Sequence, residues 1–383
     1  MKKSLWFAIF IYLDFAFAAI VPVNSFGAQS AESLFNQAEQ YFYQGDMAKA
    51  VAAYSQVLDA SPSILAARIG KARCLSRLDR ETEALGELDK VLAIQANHRD
   101  ALLAKGSILS KQGKQDAAIY IFNAILKNDP NDELAWYNLG TSQRETNQLD
   151  AALDSLFKVQ DLLLRKKQEV PPEFHSMLYY QIGMIYQSKN DLEKAVSYLR
   201  KAIQASPWSE NPQYQLGMIL ARTGQAQESR QWLDSFKRIK EINKKIIQVK
   251  DAAARSPQSA TPYIALGQLY LSLGDLRSAE NVLLTALDRH PGNSHAFNYL
   301  GLVYIKNQKL DAARDAFLSA IQKDERNIQA IVNLASLELQ TGNLDEAEQL
   351  YNQALQLNPA FSIAQQGLLQ VQKRRIPSAE SVK

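Results

Sequence analysis

The groups from which chemistry could be built in this 383-residue chain are four histidines, a single cysteine and 40 acidic residues. His290 and His295 lie five apart across Pro291 and Gly292, the one histidine spacing a metal pair could use, whereas His98 and His175 stand alone. Cys74 rules out an internal disulfide, and its place between Ala72 and Leu75 in an apolar run suits a small buried residue. Asp150, Asp191, Asp275, Asp311 and Asp345 recur just ahead of apolar stretches. Carboxylates there are expected to cap helix N-termini, where the backbone offers unpaired N–H groups, and not to act as acids or bases. No phosphate-binding glycine loop and no Gly-x-Ser-x-Gly turn is present. The chain is therefore expected to be no enzyme, with no catalytic residue, no metal and no cofactor.

The elements that must position any site follow from a beat in the small residues. Gly or Ala returns every 34 residues at Ala38, Ala72, Gly106 and Gly140, then at Gly183 and Gly217, then at Gly267, Gly301 and Ala335. Twelve positions later a second small residue keeps time: Ala50, Ala84, Ala118, Ala152, Ala195, Ser229, Ala279, Ala313 and Ala347. Two antiparallel helices approach closely only where small side chains cross, so each copy reads as a helix pair. In the fourth copy Trp136, Leu139, Leu149, Leu156 and Val159 fall at helical spacing around those points. Between paired helices stand Gly45, Gly113, Asn147, Asn190, Gly224, Gly274 and Gly342, residue types that tolerate a left-handed backbone. Pro62, Pro130, Pro207, Pro291 and Pro359 follow the second helices, which they cannot continue.

With these residues in view the chain resembles the tetratricopeptide repeat family. The seventh copy answers that family's pattern with Tyr263, Leu266, Gly267, Tyr270, Gly274, Ala279, Leu283, Ala286 and Pro291. The eighth answers with Phe297, Leu300, Gly301, Tyr304, Ala313, Phe317 and Ala320. The resemblance covers roughly residues 31 to 361, with mild departures at Arg68, Ala96 and Ser229. It implies an all-α, right-handed superhelical solenoid of about nine helix-turn-helix repeats. It also implies that the first helix of each pair lines a concave groove, through the second, fifth, ninth, twelfth and thirteenth residues of each copy. In the middle copies these are Leu134, Tyr137 and Arg144, then Met177, Tyr180, Met184 and Gln187, then Asn211, Tyr214, Met218 and Arg222. Tyrosines with adaptable methionines beside them would make an apolar groove for a partner's extended or helical segment, though ordinary packing between repeats would use the same residues. The first copies offer Phe35, Glu39 and Tyr43, then Ile69 and Arg73, so the lysine and asparagine clamp of chaperone-binding members is missing. Arg73, Arg77 and Lys111 form only a modest basic patch.

Met1 to Ala28 carries Lys2 and Lys3, an apolar run from Leu5 to Ile20 broken by Asp14, and small residues at Ser25 and Gly27. These are the parts of a secretory signal peptide, and an uncleaved N-terminal anchor is the competing reading. Asp14 at a bilayer centre would cost about 2.5–3.5 kcal/mol, which favours cleavage. The chain beyond is organised as four copies over 31–166, an insertion loop over 167–175, and two copies with a long or extra helix over 176–259. Three copies over 260–361, a capping helix over 362–375 and a disordered tail over 376–383 follow. The stretch Arg230 to Arg255 keeps helical spacing throughout, as one very long helix or two, and is read as a hinge or sub-domain boundary, or else as a rigidly packed extension.

A net charge of +3 predicts no strong pull towards nucleic acid. The leading expectation is a scaffold exported to a bacterial periplasm, or anchored at the inner membrane facing it, that docks a protein partner in the groove. Envelope, pilus, secretion or polysaccharide-export assembly would be its setting. The alternatives are a substrate-presenting accessory subunit of a glycosyltransferase or protease, or a glycan-binding repeat protein. Homo-oligomerisation through the end repeats or the helix near Ile242 is a further expectation.

Overall fold

Small-residue crossings, left-handed turns and proline stops require short helices in antiparallel pairs. The computed structural model describes residues 26–165 and 170–375, and among the described residues it is helical with no strand. The pairs are α1 (Phe26–Gln44) with α2 (Met47–Ala60), α3 (Leu65–Arg77) with α4 (Glu81–Ile94), and α5 (Arg99–Lys111) with α6 (Gln115–Asn128). Next come α7 (Glu133–Glu145) with α8 (Leu149–Arg165), α9 (Pro172–Ser188) with α10 (Leu192–Ala205), and α11 (Glu210–Arg222) with the 30-residue α12 (Ala226–Arg255). The order continues with α13 (Thr261–Leu273) and α14 (Leu276–Arg289), α15 (Ser294–Lys306) and α16 (Leu310–Lys323), then α17 (Ile328–Thr341) and α18 (Leu344–Leu357). Helix α19 (Ser362–Arg375) packs on α18.

The chain divides into two compact units, Met1–Ile239 and Lys240–Lys383, and the division falls inside α12. Within the first unit each helix from α1 to α10 packs on the next, as does each from α13 to α18 within the second. First helices also pack directly on one another, α1 on α3 through to α7 on α9, and α13 on α15 through to α17 on α19.

The small residues do what their spacing requires. A Cβ placed on Gly140 would lie 2.8 Å from Leu156 Cγ and 3.2 Å from the Ala152 carbonyl oxygen, so both small positions of that copy meet at one crossing. Ser229, the departure in the sixth copy, donates its hydroxyl to the Gly217 carbonyl at 2.8 Å and stays buried without an unpaired polar group. Arg68, the departure in the second, donates to Glu87 at 3.0 Å and to the Pro62 carbonyl at 3.1 Å.

All seven turn residues named from the sequence have positive φ, from 59° at Asn190 to 92° at Gly342. Asp79 and Gln308 occupy the same slot, each with φ 59°. A residue with a Cβ is strained there, and Gln308 is exposed. Gln308→Gly is expected to stabilise the protein by about 1 kcal/mol, read as a raised midpoint in denaturant unfolding.

Two expectations need correction. Of the five aspartates, Asp191 and Asp275 are true N-caps, accepting from the Lys194 and Ser278 amides at 3.1 and 3.0 Å. Asp150, Asp311 and Asp345 lie one residue inside their helices, beyond the cap position, and instead pair with Lys189, Arg314 and Arg375. The insertion is not a loop through residue 175, because α9 already begins at Pro172, whose ring suits a first helical turn. Of the two forms expected for the stretch around Ile242, the structure has the first, one very long helix. The expected signal peptide lies outside the described residues except for Phe26, Gly27 and Ala28, which open α1, and the tail 376–383 lies outside them entirely.

Candidate partner-binding face

Residues two, five, nine and twelve of a first helix recur at three- and four-residue steps and so share one stripe. On α7 that stripe is not free. Leu134 is 3% exposed and Tyr137 is 0% exposed, both inside a core shared by α5 to α10. The cause is the insertion. Its extra helical turn at the start of α9 brings Phe174 against Tyr137, with ring centroids 5.4 Å apart. Burial pushes the Tyr137 phenol well above its ordinary range. These two residues are corrected from groove to core.

The remaining candidates stay within reach of solvent. Arg144 is half-buried, pairs with Glu145, and lends its charge to Tyr180 on α9. Burial raises the Tyr180 phenol, while Arg144 and the nearby Gln215 amide of α11 oppose that rise. Tyr180 is thus the point where α7, α9 and α11 meet. Met177 packs against the core, and Met184 and Gln187 are half-buried farther along α9. On α11 Asn211 is half-buried, as is Tyr214, whose ring lies 5.1 Å from that of Phe236 on α12. Met218 is 44% exposed, and the exposed Arg222 reaches Asn190 at 3.4 Å. Two half-open phenols, thioethers, amides and guanidinium groups side by side can hold an apolar segment and satisfy its backbone.

The same stripe at the N-terminal end carries a feature that sequence reasoning weighed only against a carboxylate clamp. Phe35, Glu39 and Tyr43 of α1 with Ile69 and Arg73 of α3 line a cleft holding about 350 Å³ of space open to solvent. Tyr54 of α2 forms its floor, edge-on to Phe35 at 5.8 Å, and donates its hydroxyl to Glu39. Gly70 makes this possible, since a Cβ there would stand 2.5 Å from the Tyr54 ring. The legible signal was tyrosine where most copies place leucine or phenylalanine, followed by a glycine in the next first helix, a pairing that Tyr351 and Gly367 repeat at the other end.

Cys74 is buried, and His290 and His295 are exposed. Among the described residues no group of three or more His, Cys, Asp or Glu could hold a metal ion, and no helix is long and apolar enough to cross a membrane.

Comparison with known proteins agrees with this architecture. Tetratricopeptide repeat families match residues 41–108 and 304–371, 100–132, 121–154, 178–207 and 264–328, together more than half of the chain. The Protein CTR9 homolog of Arabidopsis thaliana is 25% identical over 49% of this chain and 17% of its own length. DnaJ homolog subfamily C member 3 of Bos taurus is 24% identical over 61% of this chain and 39% of its own. The chain thus spans well under half the length of these relatives. The crystal structure of MamA is 22% identical with a TM-score of 0.38, covering 46% of this chain and 96% of that one. Repeat matches along most of its length, on helix pairs whose crossings and turns are in phase, place this chain in the tetratricopeptide repeat family.

Proposed function

We propose that this chain is a non-enzymatic protein-interaction scaffold of the bacterial cell envelope, and that its first-helix face takes up a segment of a protein partner. The observation carrying this reading is the meeting of α7, α9 and α11 around Tyr180, with Tyr214, Met184 and Met218 on the same stripe. Tyrosine anchors half-open at such a junction bring apolar area with little rotamer entropy to lose. Unbranched methionines fit partners of differing shape.

Affinity capture from envelope extracts with the wild-type chain as bait, followed by a binding titration of the recovered partner, tests the face. Tyr180→Ala and Tyr214→Ala are each expected to weaken that partner by about 2 kcal/mol, roughly 30-fold. Unchanged affinity in both variants, with far-UV dichroism preserved, would remove the groove from consideration. Export rests on the character of residues 1–28. Fractionation of the tagged chain is expected to find it outside the cytoplasm, and deletion of those residues to return it there. N-terminal sequencing separates a cleaved signal from a retained anchor.

A further inference from the structure

Away from the first-helix stripe, three helices bring five rings together. Phe157 of α8, His175, Tyr179 and Tyr186 of α9, and Tyr198 of α10 form a connected cluster. Tyr198 sits at its centre, 5.6 Å from Tyr186 with the rings inclined by only 16°, 6.3 Å from Tyr179 and 6.4 Å from Phe157. Tyr179 and Tyr186 are two helical turns apart and share one side of α9, whereas Tyr180, Met184 and Gln187 share another. All five rings are half-buried, so each keeps part of its surface in reach of water.

We propose that this tyrosine cluster is a second docking surface, and that its occupant is an extended, proline-rich segment of another protein carrying an acidic residue. Three observations select that chemistry. Two of the ring faces are already covered: Lys194 lies 5.2 Å over Tyr186 and Lys201 lies 4.6 Å over Tyr198, so a flat sugar ring finds no open face there to stack on. What the cluster presents is ring edges and the hydroxyls of Tyr179, Tyr186 and Tyr198, which donate to no acceptor among the described residues. A polyproline II segment has the matching need, since its carbonyls make no internal hydrogen bonds and its rings favour aromatic-lined grooves. From His175 to Tyr186 the cluster runs about 16 Å along α9, the span of about five residues of such a segment. The charge fits too. Lys194 is paired with Asp191 at 2.9 Å, but Lys201 has no carboxylate partner among the described residues and is left for the occupant's acid.

The test is a selection of random twelve-residue peptides displayed on phage against the full chain. The variant Tyr179→Phe/Tyr186→Phe/Tyr198→Phe, which keeps every ring and removes only the donors, serves for counter-selection, and the winners are titrated by fluorescence anisotropy. Enrichment of sequences with two or more prolines and an aspartate or glutamate is expected. The triple variant should bind them at least tenfold more weakly while melting at the wild-type temperature. Lys201→Glu should cost the acidic peptides about fivefold and leave their amide counterparts unchanged. Absence of enrichment, winners without proline, or equal binding by the triple variant overturns the proposal. So does saturable binding of an oligosaccharide panel that the triple variant loses.

Discussion

Gly301→Ala is expected to destabilise the second unit by about 3 kcal/mol, the upper range for one methyl forced into a filled core. The new Cβ would stand 2.4 Å from Phe317 Cε1 and 2.6 Å from its Cδ1, distances no carbon pair tolerates. The ring has nowhere to go, being 0% exposed and packed among Ala313, Leu334 and Leu337. Helices α15 and α16 must therefore part, and in a repeat array that displacement passes to the neighbouring pair. Adding Phe317→Leu should restore part of the loss, because the second copy already combines Ala72 with Leu88, both fully buried. Urea unfolding of the single and double variants reads both effects. A single variant within about 0.5 kcal/mol of wild type would show that the crossing yields without strain.

Arg314→Met should cost about 3 kcal/mol at neutral pH, and markedly less in acid. Glu338 is 0% exposed on α17, and its two carboxylate oxygens accept from Arg314 Nε at 2.6 Å and Nη2 at 3.1 Å. Asn343 also donates to it. Arg314 holds the Glu338 carboxyl below its ordinary value of 4.5, with Asn343 and Thr341 acting in the same direction against burial. A carboxyl depressed on folding adds stability that is fully present above its unfolded pKa and is lost as pH falls through the lower folded value. The wild-type chain therefore gives up this contribution below pH 4.5. In the variant the carboxylate is stranded without its cation at neutral pH, and protonation in acid relieves it. Urea midpoints of both proteins at pH 7 and at pH 4 measure the difference. An equal deficit at the two values would mean that the guanidinium contributes packing alone.

Much of the backbone was legible because each demand falls on one residue. A left-handed turn wants glycine or asparagine whatever surrounds it, so all seven named turns have positive φ. Gln308 escaped notice because its residue type does not announce that conformation, whereas Asp79 belongs to a type that tolerates it and was passed over for glycine and asparagine. A close helix crossing wants a small side chain on each helix, so Gly140 and Ala152 could be paired before any coordinates. The aspartates mark the limit. Asp191 and Asp150 both precede the small residue of a second helix, yet they lie two positions apart in register, and only the one at the helix boundary meets a free amide.

The amino-acid sequence by itself determined that this protein is a line of helix pairs, where each helix turns and stops, and which stripe faces the same way in every pair. Tertiary structure alone decided which members of that stripe remain open. Tyr137 and Tyr180 occupy equivalent positions, but Phe174 from the inserted turn closes over the first while Arg144 and Gln215 flank the second. It alone also gathered Phe157, Tyr179, Tyr186 and Tyr198 from three helices into one cluster. The physical reason is range: turn geometry and helix period are set within a few residues, whereas burial depends on whatever the next pair brings against a side chain.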